Sequence, residues 1–338
     1  MNSILVTGGA GYIGSHTVVA FQQAGFDVIV LDDLSNSSER VIDRIEQITS
    51  IRPRFYQGNI ANQALLNSIF ESHPIDTVIH FAGFKAVGES VQYPLRYYQN
   101  NVAGSMVLFD AMQKAGCRKL VFSSSATVYG DPGVVAYTED LPLKPVNPYG
   151  QSKRMVEDIA RDLQASDSAW SVALLRYFNP VGAHPSGLIG ENPRGIPNNL
   201  MPYIAKVAVG ELPELKVFGD DYPTPDGTGV RDYIHVQDLA RGHLDACRYL
   251  DKQKGCTAFN LGTGRGYSVM EAVDAFRKAS GQPIPVSISP RRAGDLPEYY
   301  AVPDFTEKEL GWKAEYNLDD MVRDHWNWQK CNPKGYGN

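Results

Sequence analysis

The sequence has little cysteine and no pattern that would make use of it. Four cysteines occur among 338 residues, and none forms a Cys-x-x-Cys pair: Cys117, Cys247, Cys256 and Cys331. The seven histidines show no His-x-x-x-His spacing, so we predict no metal site. Unpaired thiols of this kind are typical of a cytoplasmic protein, and we expect that location.

Long apolar runs and an excess of positive charge are also missing. No run of about 18 apolar residues occurs, which argues against a membrane-spanning helix. The formal net charge of −6 offers no support for a nucleic-acid or membrane-surface partner, and we expect neither. A strand pattern begins as early as Ile4, so we expect no signal peptide. These absences leave an ordinary globular protein as the class to explain.

Short apolar runs alternate with amphipathic stretches in the first half of the chain. The runs typical of buried parallel strands are 4–6, 28–31, 77–81, 120–122 and 173–178. Helical stretches such as 17–24 and 61–72 lie between them. This alternation predicts βαβ units and an α/β fold with a doubly wound, Rossmann-type parallel sheet.

The composition of the chain changes after Asn179. Proline and glycine become frequent over 180–197 and again over 223–229, which indicates a second, loop-rich region. Later stretches, 233–250 and 258–261, return to the α/β pattern. We therefore predict a first domain of residues 1–180, with contributions from about 233–262. A smaller, interleaved C-terminal α/β domain would span residues 181–338.

A glycine loop follows the first predicted strand and opens the first helix. Gly8, Gly11 and Gly14 are three residues apart, a spacing that permits a tight turn and close approach of the backbone to a pyrophosphate. Asp32 closes the second strand 18 residues after Gly14. A carboxylate there would accept hydrogen bonds from a ribose 2′-hydroxyl and repel a 2′-phosphate, which favours NAD over NADP. The alternative is a structural glycine turn beside a solvated acid.

A second glycine cluster, at 262–266, lacks an acid at the end of a following strand. Ser268 and Glu271 form a Ser-x-x-Glu capping box instead. We interpret this loop as structural.

Tyr149 and Lys153 are separated by one helical turn and lie downstream of a serine run at 123–125. A tyrosine of ordinary pKa is only about 0.1% ionised at neutral pH, and a nearby ammonium would favour the phenolate. Serine at the carboxyl edge of the sheet can bond the same substrate oxygen from which tyrosine takes a proton. The pattern predicts alcohol oxidation; the alternative is a solvated Tyr–Lys pair on a helix surface.

These motifs together resemble the extended branch of the short-chain dehydrogenase/reductase superfamily and, within it, the UDP-galactose 4-epimerase family. The stretches that carry the resemblance span nearly the whole chain: 7–14, 80–90, 123–130, 148–153, 176–185, 197–202, 229–236 and 290–295.

The resemblance implies a division of roles along the chain, with NAD in the first domain and a UDP-sugar in the second. It implies Tyr149 as the base, Ser125 on the 4-hydroxyl of the sugar, and Lys153 as the third catalytic residue. The implied NAD-site residues are Gly8, Gly11, Tyr12, Ile13, Gly14, Asp32, Asp33, Leu34, Ser35, Asn36, Ser37, Asn59, Ile60, Phe81, Ala82, Gly83, Phe84, Lys85, Asn100, Ser125, Tyr149, Lys153 and Phe178. The implied UDP-sugar contacts are Ser125, Tyr149, Asn179, Asn199, Leu200, Phe218, Arg231, Tyr233, Arg292, Asp295 and Tyr299.

Some of these residues have plainer alternatives. Leu200 and Phe218 could be core residues, and Arg231 and Arg292 could be surface ion-pair partners rather than ligands of a diphosphate. Tyr299 lies where relatives that accept N-acetylhexosamines carry a small residue, so the resemblance implies a preference for unsubstituted hexoses.

The activity implied is interconversion of UDP-glucose and UDP-galactose, in galactose metabolism. NAD stays bound while the sugar is oxidised at C4, turns over as a 4-keto sugar and takes the hydride back. Ala126 and Thr127 stand where 4,6-dehydratases carry an Asp-Glu pair, which argues against elimination of water. A non-catalytic NAD-sensing regulator and an enzyme for another nucleotide sugar remain the alternatives.

Two departures from the family pattern stand out, at Asn59 and in the loop before Pro148. Asn59 occupies a position that is usually Asp, which weakens the expected adenine contact. The segment between Gly130 and Pro148 is about one residue short. Relatives form homodimers through paired helices, and 91–114 is the candidate face here; packing inside one subunit explains its pattern equally well.

Overall fold

The computed structural model describes residues 3–195, 197, 199–292 and 294–337. Asn198 and Ala293, which belong to two of the stretches that carry the resemblance, lie outside the described residues. The strands are β1 (Ser3–Thr7), β2 (Asp27–Asp32), β3 (Arg54–Gln57), β4 (Ile75–His80), β5 (Lys119–Ser125), β6 (Ala136–Tyr137), β7 (Ser171–Tyr177), β8 (Asn179–Val181), β9 (Leu215–Phe218), β10 (Val230–His235), β11 (Gly255–Leu261), β12 (Gly266–Ser268), β13 (Val286–Ser289) and β14 (Glu298–Ala301).

The helices alternate with these strands along most of the chain. The α-helices are α1 (Tyr12–Gln23), α2 (Arg40–Thr49), α3 (Gln63–Ser72), α4 (Val87–Gln92), α5 (Pro94–Tyr97), α6 (Gly104–Lys114), α7 (Pro148–Ser166), α8 (Leu200–Ala208), α9 (Val236–Lys252), α10 (Val269–Ser280), α11 (Asp304–Leu310) and α12 (Leu318–Cys331). A π-helical turn (Tyr98–Ala103) joins α5 to α6, and a 3-10 turn (Ala126–Val128) follows β5. None of the described helices is long and apolar enough to cross a membrane.

A seven-stranded parallel sheet forms the centre of the molecule, in the order β11-β7-β5-β4-β1-β2-β3. The chain winds outward in both directions from the neighbours β1 and β4. Ligands bind in such sheets at the carboxyl ends of the strands, at the point where the winding reverses. The doubly wound parallel sheet predicted from the sequence is confirmed.

Successive residues of the central strands point to opposite faces, and each face has its own core. In β1, Ile4 and Val6 pack with α1, α2 and α9, whereas Leu5 packs with α3, α6 and α7. Because both faces are covered, the middles of the inner strands are continuous apolar runs, as at 4–6 in β1 and 28–31 in β2.

Two smaller sheets lie outside the central one. The first has the order β12-β10-β14-β6, with β8 also paired to β10, and the second joins β13 to β9. A third core packs α8, α10 and α12 together, and includes Met201, Phe276 and Met321. β11 adds an edge strand to the central sheet, whereas β10 lies in a smaller sheet. The division into two domains stays a prediction.

Several element boundaries differ from those predicted. α1 begins at Tyr12 rather than Thr17, because its first turn comes directly after Gly11 and lacks the apolar periodicity that begins at Val18. In contrast, the serine run ends β5 at Ser125, as predicted. All four cysteines are unpaired, and Cys117 and Cys247 are buried.

Candidate active site

The glycine loop lies between β1 and α1, at the reversal point of the sheet. Gly8 has φ of 71°, and a Cβ on it would stand 2.7 Å from the backbone nitrogen of Ala82, which follows β4. A Cβ on Gly14 would stand 2.2 Å from the carbonyl oxygen of Gly8. Only glycine fits either position, so the loop keeps its backbone open beside the first turn of α1.

Asp32 organises the loop that follows β2. Its carboxylate accepts hydrogen bonds from the Ala10 N–H at 3.0 Å, the Leu34 N–H at 2.9 Å and the Ser37 hydroxyl at 2.7 Å. Burial raises the pKa of Asp32, and these hydrogen bonds oppose the rise. The predicted residues from Asp32 to Ser37 thus form one turn against the glycine loop. This backbone cradle with a neighbouring carboxylate fits a dinucleotide with a free 2′-hydroxyl.

Three other residues predicted to contact NAD, Tyr12, Ile60 and Asn59, also make contacts within the protein. Tyr12 donates its hydroxyl to the Gly182 carbonyl at 2.7 Å, and the Ile60 side chain is part of the core. Asn59 donates to Asp33 at 2.9 Å and accepts from the Ala61 N–H at 2.9 Å, so both ends of its amide already have partners. The Asn59 amide orders the loop after β3.

The three serines of the run serve three different purposes because alternate residues of a strand face opposite sides. Ser124 points away from the cleft and donates to Glu157 at 2.6 Å, and Glu157 also pairs with Arg176. Ser123 offers its carbonyl, which accepts from Lys153 Nζ at 2.5 Å. Ser125, the predicted catalytic serine, bonds to Thr127 and is a hydrogen-bond partner of Tyr149.

The first turn of α7 positions Tyr149. Asn147 caps the helix by accepting from the Gly150 N–H at 2.8 Å, and Pro148 occupies the first helical position, where its missing N–H costs nothing. Burial raises the pKa of Tyr149, while the hydrogen bond with Ser125 and the positive charge of Lys85 lower it. Desolvation therefore opposes ionisation of Tyr149, whereas Ser125 and Lys85 favour it.

Lys153 is buried one turn along α7. Burial lowers its pKa to about 8, against the opposing effect of Glu157. Its ammonium also lies 4.9 Å from the centre of the Phe122 ring. The sequence predicts that Lys153 lowers the pKa of Tyr149, and this stays a prediction; in the structure, the positive charge of Lys85 lowers that pKa. Sequence reasoning assigned Lys85 to NAD and missed this neighbour because the two residues are distant in the chain.

A buried polar network links the glycine loop to α7. His80 joins the Thr7 hydroxyl at 2.7 Å to the Ser105 hydroxyl at 2.8 Å, and burial together with the Lys153 ammonium lowers its pKa to about 3. Asn101 bonds to both backbone groups of Phe84 and donates to Ser152, whose hydroxyl bonds to the Tyr149 carbonyl. A neutral His80 and Asn101 thus hold the catalytic helix in place.

Asn101 was not predicted from the sequence. It belongs to the π-helical turn, in which its predicted neighbour Asn100 donates to Asn101 Oδ1 at 3.0 Å. Such turns often mark functional sites because the extra residue redirects side chains. No periodicity in the sequence signals this turn.

The residues predicted to hold the UDP-sugar form two groups. The Arg231 guanidinium lies over the Tyr299 ring at 4.7 Å, and the Tyr299 ring lies 6.1 Å from that of Phe178. Asp295 stands 4.0 Å from Arg231. The smaller sheet therefore places Tyr299, which is predicted to contact the sugar, next to Phe178, which is predicted to contact NAD.

The second group lies at the paired strands β9 and β13. The Arg292 guanidinium covers the Phe218 ring at 3.9 Å. Leu200 begins α8 and is half-buried against the third core, in line with its plainer interpretation as a core residue.

Two further residues predicted for the sugar lie on the paired strands β8 and β10. Tyr233 stands opposite Asn179, which donates to the Asp232 carbonyl at 2.9 Å.

The second glycine cluster binds a carboxylate of the protein itself. The N–H groups of Thr263 and Gly264 and the Thr263 hydroxyl donate to the buried Asp232, and Ala301 adds a further N–H at 3.1 Å. Ser268 and Glu271 form the predicted capping box at the start of α10. The structural interpretation of this loop is confirmed.

Comparison with known proteins agrees with this geometry. The model of the NAD dependent epimerase/dehydratase family matches residues 4–262. The chain belongs to that family. Among curated members, the UDP-glucose 4-epimerase of Dictyostelium discoideum is 58% identical over 98% of this chain and 97% of its own length. That of Bacillus subtilis is 56% identical over 99% of this chain and 98% of its own.

Solved structures of family members agree over almost the full length. A UDP-glucose 4-epimerase from Bifidobacterium longum, in complex with NAD+ and UDP, matches with a TM-score of 0.95 at 53% identity. The match covers 99% of this chain and 100% of that one. A second, from Stenotrophomonas maltophila with bound NAD and formylated UDP-arabinopyranose, has a TM-score of 0.96 at 50% identity, over 99% of each chain.

Proposed function

We propose that this protein is an NAD-dependent UDP-glucose 4-epimerase, which interconverts UDP-glucose and UDP-galactose. The observation that carries the proposal is the position of Tyr149 with Ser125 at the carboxyl edge of the sheet, on the same side as the glycine loop. The near full-length identity to UDP-glucose 4-epimerases supports the substrate.

NAD would be held by the glycine loop, by Asp32 with the turn to Ser37, and by the segment from Phe81 to Lys85. Bound there, it supplies an acceptor for the C4 hydride and later returns that hydride to the sugar. The closed turn at Asp32 supports a cofactor that stays in place through turnover.

Tyr149 moves the proton. As base, it takes the proton of the sugar 4-hydroxyl, and Ser125 donates a hydrogen bond to the same oxygen. As acid, it returns a proton to the 4-keto oxygen once the sugar has presented its other face. Tyrosine can serve in both directions because burial keeps the phenol protonated while Lys85 and Ser125 keep the phenolate accessible.

Two arginines suit the diphosphate of the substrate. Arg231 and Arg292 are each stacked on an aromatic ring, which orients the guanidinium plane for bidentate contact with phosphate oxygens. Firm hold on UDP and loose hold on the hexose suit a sugar that must rotate, since uniform binding does not accelerate chemistry.

The test is conversion of UDP-galactose to UDP-glucose without added NAD. The purified protein should release NAD on denaturation and should catalyse the conversion unaided. Absence of both bound NAD and conversion would refute the proposal, and would favour a nucleotide-sensing protein or another nucleotide-sugar enzyme.

Tyr149→Phe should abolish turnover while leaving NAD bound, since only the hydroxyl is removed. The expected loss is at least about a hundredfold in kcat, the usual contribution of a positioned acid–base group. Steady-state kinetics and the NAD content of the denatured variant measure the two quantities. Normal activity in Tyr149→Phe would remove the assigned base.

We further propose a homodimer and a cytoplasmic location. The surface formed by α4 to α6 and α7 exposes Val91, Leu95, Met106 and Met155, an apolar patch that packing within one subunit does not cover. This patch supports the predicted paired-helix interface. The domain division into residues 1–180, with about 233–262, and residues 181–338 is likewise proposed.

A further inference from the structure

A buried carboxylate stands next to the catalytic centre without an assigned role. Glu191 is 5% exposed, and its Oε1 accepts hydrogen bonds from Lys85 Nζ at 2.9 Å and from Asn199 Nδ2 at 3.0 Å. Trp328 Nε1 donates to the Glu191 carbonyl at 3.3 Å, which fixes the backbone. The carboxylate therefore joins a residue beside Tyr149 to a predicted sugar contact.

The second oxygen of Glu191 makes the arrangement unusual. Oε2 is buried and has no hydrogen-bond partner among the described residues. A buried charge with one unsatisfied oxygen is destabilising unless something compensates for it. An apolar side chain of similar size would pack there at lower cost, so stability does not account for a glutamate at this position.

Lys85 depends on Glu191 for its place. Its side chain is 50% exposed at the cleft, and among the described residues the contact that holds its ammonium is the ion pair with Glu191. Burial of its surroundings would lower the pKa of Lys85, but the Glu191 carboxylate raises it above the ordinary value. Glu191 thereby keeps a cation beside Tyr149.

We propose that Glu191 is a positioning residue for the epimerase reaction. Its carboxylate tethers the Lys85 ammonium beside Tyr149 and ties that ammonium to Asn199 through one shared oxygen. The inference rests on the proposed function and assigns a residue that acts on the base through another side chain.

The charged and titratable groups that face Glu191 come from three elements. Tyr12 of α1 and His325 of α12 both sense its charge, and Lys85 follows β4. The pKa of Tyr12 is raised and that of His325 lowered to about 4, mainly by burial in each case. Both groups are therefore neutral around neutral pH, which leaves Lys85 as the partner that carries charge.

The test compares pH profiles of kcat/KM for UDP-galactose in Glu191→Gln, Lys85→Met and the double variant. Glutamine keeps the size of the side chain and removes its charge. Without the tether, the field of Lys85 at Tyr149 weakens. We expect the acid limb of the Glu191→Gln profile to move to higher pH, with a fall of about tenfold at neutral pH.

The double variant separates positioning from general damage. In the Lys85→Met background, Glu191→Gln should shift the acid limb no further, because the cation it positions is already gone. Glu191→Asp, which restores the charge one methylene short, should return the limb towards that of the wild type. As a control, Glu139→Gln removes a half-buried carboxylate bonded to Asn260 and Thr306, and should leave the limb in place.

Two outcomes would overturn the inference: an unmoved limb in Glu191→Gln, or an equal further shift in the Lys85→Met background. Should Glu191→Gln fail to fold, Glu191→Met, an apolar side chain of similar size, takes its place in both backgrounds, and the same two outcomes overturn the inference. Wild-type protein that does not epimerise at all refutes the proposed function itself. Active wild-type protein, together with an unmoved acid limb in Glu191→Gln, refutes only the role of Glu191.

Discussion

Individual side chains in this protein owe their roles to the direction in which the backbone points them. Ser124 lies directly beside Ser125 in the sequence, yet it faces Glu157 and Arg176 in the core. Ser125 faces the cleft and Tyr149. The alternation of a strand therefore separates a structural serine, Ser124, from the serine predicted to be catalytic, Ser125.

The side chain of Tyr299 is likewise fixed by its neighbours. Its ring stacks on that of Tyr137 at a centroid distance of 5.5 Å, and the Arg231 guanidinium lies over it. A ring held by these two neighbours cannot move aside for a larger sugar substituent.

Tyr299→Cys should admit UDP-N-acetylglucosamine. We expect kcat/KM for this substrate to rise by roughly tenfold or more, the range associated with relief of steric exclusion in a pocket. Tyr300→Cys, on the opposite face of the same strand, is the matched control and should leave the preference unchanged. Good turnover of UDP-N-acetylglucosamine by the wild-type protein would contradict the idea.

At the scale of elements, the two glycine loops look alike in sequence and bind different anions. The first leaves its backbone open beside Asp32. The second is closed by Asp232, which accepts three backbone N–H groups and a hydroxyl. A carboxylate supplied from within the chain thus connects β10 to β14 and to the loop between β11 and β12.

Asp232→Asn should therefore destabilise the protein. The amide presents an N–H group to donors that need an acceptor, and we expect the free energy of unfolding to fall by about 3 kcal/mol. Urea unfolding followed by circular dichroism measures the change. Asp131→Asn, which alters one exposed loop contact with Gly133, should cost far less; equal losses would show that Asp232 does not make this connection.

The turn after β2 is a second element that depends on a distant residue. Leu34 has φ of 58°, a strained value for a residue with a side chain, and Arg194 Nη2 donates to the carbonyls of Leu34 and Ser37 at 2.9 and 3.1 Å. Arg194 thus braces a turn of the NAD site from the segment that also carries Glu191.

Arg194→Gln should make the protein lose NAD faster. Loss of a charged donor to two carbonyls corresponds to roughly a tenfold increase in the dissociation rate. NAD remaining after prolonged dialysis is the readout. Arg52→Gln removes an exposed arginine whose ion pairs with Asp43 and Glu46 lie on α2 alone, and should retain NAD as the wild type does. Equal retention in both variants would exclude the brace.

At the scale of the whole molecule, the central sheet brings distant segments to one edge. The glycine loop follows β1, the segment from Phe81 follows β4 and the serine run ends β5; these three strands are neighbours in the sheet. Parallel strands necessarily end at one edge, so the sequence predicted this gathering without any knowledge of side-chain contacts.

The apolar surface on α4 to α7 belongs to this scale as well. Met106→Glu should convert the proposed dimer into a monomer, because a carboxylate at the centre of an apolar interface must be desolvated. Light scattering coupled to size-exclusion chromatography gives the mass. Ile51→Glu is the matched control, since both side chains are 52% exposed, and should leave the mass unchanged. A monomeric wild-type protein would refute the dimer.

Prediction from the sequence failed where elements are short or partners distant. The smaller sheet combines β6, β10 and β14, which come from residues 136–137, 230–235 and 298–301. β6 and β14, with two and four residues, are too short to show a recognisable pattern. The Lys85–Glu191 pair joins residues 106 apart, and no local spacing can reveal such a contact.

What the sequence by itself determined is the class of the protein and the order of its chemistry. Continuous apolar runs require a sheet covered on both faces, three glycines at fixed spacing require a turn beside a pyrophosphate, and Tyr149 with Lys153 requires one helical face. Only the tertiary structure decided which serine of the run turns into the core, which carboxylate closes the second glycine loop and which carboxylate pairs with Lys85. Those choices depend on distances between segments far apart in the chain, and packing alone sets such distances.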